Sequence, residues 1–220
     1  MRPTFTVLTG ADDETDVDRM VALQSRFDVE WGILFSPKLQ GQGRYPSLDF
    51  VASLVGRGLN LAAHVCGAHA RTAAEGGGLG VLGVVPKGTF ARVQFNLSWT
   101  PSKLEVLRDA ARSVGANRAI LQWRASTFPV DDAVDWLFDT SGGRGQAPAA
   151  WPRPVPRRDG TRIGFAGGIG PGNVRRTLSE IGLLNPSRLP FFIDMESSLR
   201  TEDRFDLDLC EDVLTQVSRT

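Results

Sequence analysis

The stretch I-G-F-A-G-G-I-G-P-G-N-V, residues 163–174, decides how the rest of the chain is interpreted. It begins like a short apolar strand, turns at Gly167 and Gly168, and enters a predicted helix at Asn173. Two adjacent glycines let a ligand approach the backbone, because no Cβ stands in the way. The amides of the turn and the helix N-terminus therefore predict an anion site, although glycines are also required for a tight turn alone.

Seven further strand-like segments surround this stretch, and most of them are followed by a helix-like segment. Eight such alternations in 220 residues predict an α/β fold, a (β/α)8 TIM barrel formed by one domain over residues 1–220. An open doubly wound sheet shares the alternation and is the alternative, but the count of eight favours the barrel. The predicted strands are 4–8, 30–35, 60–66, 92–97, 119–123, 136–138, the start of 163–174, and 190–194.

The segments between the predicted strands vary in character. Residues 76–88 are too rich in glycine for an assignment, and four prolines in 148–158 predict an irregular crossover in place of a full helix. The predicted helices are 14–27, 47–55, 68–74, 101–114, a short one near 129–134, 173–181 and 207–217.

Composition limits the possible partners and the cellular location. Lys and Arg together number 25, as do Asp and Glu, so the net charge gives no reason to expect nucleic acid or a membrane as partner. The two cysteines are far apart, which is typical of a reduced protein, and no signal peptide or transmembrane run is seen. We expect a cytoplasmic protein that is a monomer or a homodimer.

Polar residues end several of the predicted strands on the face that is not uniformly apolar. Because catalytic groups of a barrel lie at the C-terminal strand ends, this alternation predicts that they converge on one cavity. A set of interior hydrogen bonds needed only for folding is the alternative reading. The converging residues are Cys66, Asn96, Arg124, Asp139 and Asp194, with His64 two residues deeper on the same face as Cys66.

Several motifs in sequence order resemble the phosphoribosylanthranilate isomerase family over nearly the whole chain. L-F-D-T-S-G-G-R-G-Q (137–146) is similar to its loop after strand six, and F-A-G-G-I-G-P-G-N-V (165–174) to its phosphate motif after strand seven. F-I-D-M-E-S-S-L-R (192–200) resembles its eighth-strand Asp and serine-rich phosphate loop. I-L-F-S-P-K (33–38) and R-V-Q-F-N (92–96) resemble the ends of strands two and four.

The resemblance implies an enzyme that isomerises a phosphorylated aminoribose by an Amadori rearrangement, in the pathway of tryptophan synthesis. It implies that Asp139 is the general acid, that Gly167, Gly168, Ser197 and Ser198 bind the phosphate, and that no cofactor or metal is needed. The family's general base, a cysteine ending strand one, is replaced here by Leu8 or Thr9. Neither side chain is a useful base near neutral pH.

Other residues are candidates to complete the site. Cys66, ending strand three, is a candidate relocated base, with His64 assisting, although both residues are also typical of a buried core. Lys38 matches the family's carboxylate-binding arginine, and Arg44 follows it; both can also be solvated loop cations. Asp139 can instead cap the turn 140–145. Asn96, Arg124 and Asp194 complete the predicted substrate-binding set.

The leading prediction is thus an isomerase of this type acting on a small phosphorylated substrate. Two alternatives remain open. One is another phosphosugar enzyme on the same barrel, an epimerase, aldolase or synthase. The other is a catalytically altered barrel that binds a phosphorylated ligand without turnover, which the missing strand-one cysteine favours.

Overall fold

Eight parallel strands close into a barrel in the computed structural model, which describes residues 1–142, 144–156, 160 and 162–220. Each strand pairs with its sequence neighbours, and the first strand pairs with the eighth, with Val7 opposite Asp194. The barrel prediction is therefore confirmed, and the open doubly wound sheet is excluded. The strands are β1 (Thr6–Thr9), β2 (Val29–Phe35), β3 (Leu61–Cys66), β4 (Arg92–Asn96), β5 (Arg118–Trp123), β6 (Asp135–Phe138), β7 (Ile163–Phe165) and β8 (Phe191–Met195).

Helices follow most of the strands and cover the outside of the barrel. Those beside β1 and β2 begin at side-chain caps, because Asp16 and Ser47 accept hydrogen bonds from amides of the first turn. The predicted helix 14–27 is consequently shorter. The helices are α1 (Val17–Gln24), α2 (Leu48–Ser53), α3 (Gly67–Ala74), α4 (Glu105–Ser113), α5 (Val174–Leu184) and α6 (Leu207–Ser218).

Two smaller features complete the secondary structure. The glycine-rich region 76–88, for which the sequence predicts no element, contains a short 3-10 helix at Gly80–Val84. After β8, the 3-10 helix Ser197–Leu199 leads into a small hairpin of β9 (Arg200–Thr201) and β10 (Arg204–Phe205). Among the described residues, no helix is long and apolar enough to cross a membrane.

The core is divided by the alternation of side chains along the strands. The large cluster between strands and helices includes Leu8, Leu121 and Phe138, as expected for outward-facing positions. A separate small cluster fills the barrel interior and consists of Val7, Ile120, Leu137, Ala166 and Phe192. The orientation predicted for β5, β6 and β8 is therefore confirmed.

The short helix predicted near 129–134 is wrong. This segment has no helical turn, because the side chain of Asp131 accepts a hydrogen bond from the amide of Ala133 at 2.7 Å. Its carbonyl oxygen accepts a second hydrogen bond, 2.8 Å long, from the indole of Trp136. Such local bonds offer the backbone an alternative to the helix.

The irregular crossover predicted at 148–158 is confirmed for residues 148–156, which contain no helix; residues 157 and 158 lie outside the described residues. Trp151 packs its ring edge-on against Phe138 and Phe165, with centroids 6.0 and 5.9 Å away. Its indole N–H donates to Glu180 of α5 at 3.2 Å. One aromatic side chain thus covers β6 and β7 where a helix would otherwise lie.

A buried ion pair lies across the barrel interior. Arg92 of β4 donates to both carboxylate oxygens of Glu30 of β2, with its shortest N–O distance 2.6 Å, and its Nη1 lies 3.7 Å from Asp135 of β6. The guanidinium lies against the stacked rings of Phe5 and Phe192, 4.5 and 4.4 Å from their centroids. Desolvation of Arg92 and Glu30 is offset by paired hydrogen bonds and aromatic contact, whereas Nη1 of Arg92 and Oδ2 of Asp135 have no hydrogen-bond partner among the described residues.

Candidate active site

A cavity of about 560 Å³ lies at the C-terminal end of the barrel. This is the end at which barrel enzymes place their catalytic groups, so the predicted position of the site agrees with the cavity. His64 and Lys38 are the predicted site residues that do not line it. Those that do are Arg44, Cys66, Asn96, Arg124, Asp139, Gly167, Gly168, Asp194, Ser197 and Ser198.

Asp139, directly after β6, accepts hydrogen bonds at both carboxylate oxygens. The amide and hydroxyl of Ser141 donate to Oδ1 at 2.8 and 2.6 Å, and the side-chain amide of Gln122 lies 3.4 Å from Oδ2. The bonds from Ser141 correspond to the turn-capping role that the sequence left open. Asp139 also lines the cavity, so its role in the turn does not remove it from the site.

Asp194 of β8 has a different environment. Its Oδ1 accepts one hydrogen bond, from the hydroxyl of Thr9 on β1 at 2.8 Å. Burial is the main reason that the pKa of this carboxyl is raised to about 8; the hydrogen bond from Thr9 and the charge of Arg92 lower it, and the nearby carboxylates of Glu196 and Asp139 raise it. Thr9, and not Leu8, therefore occupies the inward-facing position at the end of β1.

Cys66 ends β3 at the cavity, half-buried, and accepts a hydrogen bond from the side-chain amide of Asn96 at 3.2 Å. Burial raises the pKa of the thiol to about 11, an effect only partly offset by Asn96. The thiol is therefore neutral near pH 7, whereas the thiolate is the reactive form of cysteine.

His64 lies beneath the cavity floor and is almost completely buried. Its Nδ1 lies 3.2 Å from the side-chain nitrogen of Gln94, which is a donor, so the ring proton is assigned to Nε2. Burial, with a contribution from the Arg92 charge, lowers the pKa of His64 to about 3. His64 is thus a neutral core histidine, one of the two readings that the sequence allowed.

The predicted phosphate site is formed by two loops that meet at the cavity. Gly167 and Gly168 have φ angles of 102° and 64°, and a Cβ on Gly168 would lie 2.4 Å from the amide nitrogen of Ala147. Glycine is therefore required there by loop packing whatever the site binds. Among the described residues, the backbone N–H groups of Gly168 and Ser198 have no protein acceptor, whereas the Ser198 hydroxyl donates to the carbonyl of Ile169.

The cationic side chains near the cavity differ in whether they already form an ion pair. Arg44 pairs with Glu196 at 2.5 Å and donates to the Ser197 hydroxyl at 3.3 Å, so its charge is already balanced. Lys38 is exposed and lies outside the cavity lining. Arg124 lines the cavity rim and has no ion pair among the described residues, which leaves its guanidinium available to a ligand.

Sequence reasoning missed several contributors to this site. Ser141 and Gln122 contact Asp139, and Tyr45 lines the cavity beside Arg44. Gln122 lies on β5 two residues before Arg124, so alternation places both on the same inward face. The remaining two lie in loops, where no periodic pattern indicates direction.

Comparisons with known proteins agree with this architecture. No protein-family model matches the sequence, and no curated protein matches it. The structure is similar to phosphoribosyl anthranilate isomerase from Thermotoga maritima, with a TM-score of 0.64 and 16% identity, covering 98% of this chain and 99% of that chain. It is similar at the same coverage to N-(5'-phosphoribosyl)anthranilate isomerase from Pyrococcus furiosus, with a TM-score of 0.60 and 10% identity.

A third similar structure is phosphoribosyl anthranilate isomerase in complex with reduced 1-(o-carboxyphenylamino)-1-deoxyribulose 5-phosphate, with a TM-score of 0.60 and 17% identity, again covering 98% of this chain and 99% of that chain. At such identities the likeness concerns the fold. The resemblance noted in the sequence motifs and the likeness of the whole structure point to the same group of barrels. This chain therefore has the (β/α)8 fold of the phosphoribosylanthranilate isomerases over nearly its whole length.

Proposed function

We propose that this protein is an acid/base isomerase of a phosphorylated aminosugar, of the phosphoribosylanthranilate isomerase type. The observation that carries the proposal is the meeting of two carboxyl side chains, Asp139 and Asp194, with unpaired backbone amides in one cavity. Isomerisation by proton transfer needs groups that donate and accept protons on either side of the sugar, and two carboxyls from β6 and β8 supply them.

The anion site would hold the phosphate of this substrate. The unpaired amides of Gly168 and Ser198 suit phosphate oxygens, and the loops after strands seven and eight are a frequent phosphate site in barrels. The carboxylate of Glu196 would repel phosphate, but its ion pair with Arg44 offsets that charge.

Arg124 is the cation that best fits a carboxylate on the aromatic part of the substrate. The ligand named in one similar structure carries a carboxyphenyl group as well as a phosphate. Here Arg44 is already paired and Lys38 lies outside the cavity lining, whereas the Arg124 guanidinium is unpaired among the described residues. A guanidinium also offers the two-pronged geometry that a carboxylate prefers.

The test is turnover of N-(5'-phosphoribosyl)anthranilate by the purified protein, followed by loss of anthranilate fluorescence. We expect Asp139→Ala to lower kcat/KM by about 10²-fold or more, because general acid–base catalysis contributes roughly 10² to 10⁴-fold. Asp109→Ala on the exposed face of α4 is the matched control and should leave turnover unchanged. Near-normal turnover in Asp139→Ala would sink the proposal.

A barrel that binds the ligand without turnover is the second candidate function. It is favoured by Thr9 at the end of β1, where the resemblance implies a cysteine base, and by the neutral thiol of Cys66. A phosphorylated compound that raises the melting temperature of a protein without turnover would support this candidate. An aldolase is less favoured because no lysine lines the cavity within the described residues.

A further inference from the structure

The two cavity carboxyls differ in the protonation state that their surroundings favour. Asp139 accepts hydrogen bonds at both oxygens, from the amide and hydroxyl of Ser141 and from Gln122. An ionised carboxylate is an acceptor at both oxygens, whereas a protonated one must donate from one of them. The surroundings of Asp139 thus suit the charged form, which is the form of a base.

The surroundings of Asp194 suit the neutral form. One donor, the Thr9 hydroxyl, reaches Oδ1, and among the described residues no donor reaches the second oxygen. The side chain is buried at the cavity, and burial disfavours charge. The charged groups acting on it are Glu196 from the loop after β8, Asp139 from β6 and Arg92 from β4, and β1 contributes Thr9.

We propose that Asp194 is the general acid and Asp139 the general base of the isomerisation, the reverse of the role that the family resemblance implies for Asp139. This assignment rests on the proposed function. It follows the general rule that two titratable groups held in opposite protonation states reveal the acid and the base. It also explains how the cavity can operate although the end of β1 carries a hydroxyl and the Cys66 thiol is neutral.

The proton transfers balance without a co-reactant. Asp194 gives its proton to the ring oxygen as the bond from C1 to that oxygen breaks, and the nitrogen lone pair forms a C=N bond. The Asp139 carboxylate then removes the proton from C2, and the electron pair of that C–H bond forms an enolamine. Asp139 returns its proton to C1 as the C2 hydroxyl loses its own and becomes a ketone. That last proton restores Asp194 through solvent.

Thr9 is a positioning residue in this scheme. A Cβ added to Gly32 would lie 2.2 Å from the Thr9 hydroxyl and 3.0 Å from Nε2 of His64. Glycine on β2 therefore leaves room for the Thr9 hydroxyl to reach Asp194. Because that hydrogen bond favours the charged form, it keeps the pKa of Asp194 lower than burial alone would.

The experiment is the pH profile of kcat/KM for N-(5'-phosphoribosyl)anthranilate in the wild type and three variants. We expect wild-type kcat/KM to fall as pH rises through about 8, where Asp194 loses its proton. Asp194→Asn should lower kcat/KM by about 10²-fold or more and abolish this decline. Thr9→Val should move the decline to higher pH, because it removes the hydrogen bond that stabilises the carboxylate. Cys66→Ser should leave the decline in place.

Turnover by the wild type separates failure of this acid and base assignment from failure of the proposed function. If the wild type turns over and kcat/KM rises through pH 8, Asp194 is the base and the assignment is overturned. It is also overturned if the decline survives in Asp194→Asn, or is unmoved in Thr9→Val. Thr9→Val provides this test even if Asp194→Asn fails to fold. A wild type without turnover at any pH overturns the proposed function and the assignment together.

Discussion

Replacing Arg92 with methionine should destabilise the barrel severely, because it leaves two buried carboxylates without their cation. Glu30 and Asp135 are 7% and 0% exposed, and Arg92 donates three hydrogen bonds to the Glu30 carboxylate. Removing one partner of a buried ion pair costs roughly 3 to 5 kcal/mol, since the remaining charge stays desolvated. Methionine keeps an unbranched apolar side chain against the rings of Phe5 and Phe192, so the loss is chiefly electrostatic.

The assay is urea denaturation followed by circular dichroism. Roughly 3 to 5 kcal/mol corresponds to a folding equilibrium constant lowered about 10² to 10⁴-fold. Adding Glu30→Gln to Arg92→Met should restore part of this loss, because the glutamine carries no charge. Arg176→Met, which removes an exposed pair with Glu180 at 3.4 Å, is the control and should cost about 0.5 kcal/mol or less. A loss below about 1 kcal/mol in Arg92→Met would refute the reasoning.

Two further predictions concern the surroundings of Asp194. Gly32→Ala should lower the free energy of unfolding by about 1 to 3 kcal/mol through overpacking, because its Cβ would lie 2.2 Å from the Thr9 hydroxyl. The control in urea denaturation is Gly83→Ala, because no atom lies within 4 Å of a Cβ added there. Equal losses in the two variants would contradict the steric explanation. The raised pKa of Asp194 should also make the free energy of unfolding fall as pH rises from about 4 to about 8, since the folded protein retains a proton that the unfolded chain releases. The difference in urea midpoint between wild type and Asp194→Asn should therefore change between pH 5 and pH 8, and a constant difference would argue against it.

Part of the candidate site was predictable because barrel geometry converts sequence position into spatial position. A residue at the end of a parallel strand must lie at the C-terminal rim, and alternation decides whether it faces inward. Asp139 and Asp194 were placed in this way, although neither is near the other in sequence. Their placement needed only the strand pattern, which local propensity and apolar periodicity supply.

The partners of these residues were not predictable, because they come from distant parts of the chain. Thr9 reaches Asp194 across 185 residues, and Arg44 reaches Glu196 across 152. The first contact exists only because β1 pairs with β8 when the barrel closes. The sequence left Leu8 and Thr9 as alternatives, and the pairing register selected Thr9.

The sequence by itself determined the alternation of eight strands with connecting segments, the glycine turn after β7 and the polar residues at the strand ends. Each of these depends on neighbours within a few residues, and local preference is therefore sufficient to predict it. Only the tertiary structure decided which cations already form ion pairs. It also decided that Asp139 accepts hydrogen bonds at both oxygens, whereas Asp194 is buried with a single donor. Protonation and pairing depend on desolvation and on charges brought together by closure of the barrel, and these arise only when the chain folds.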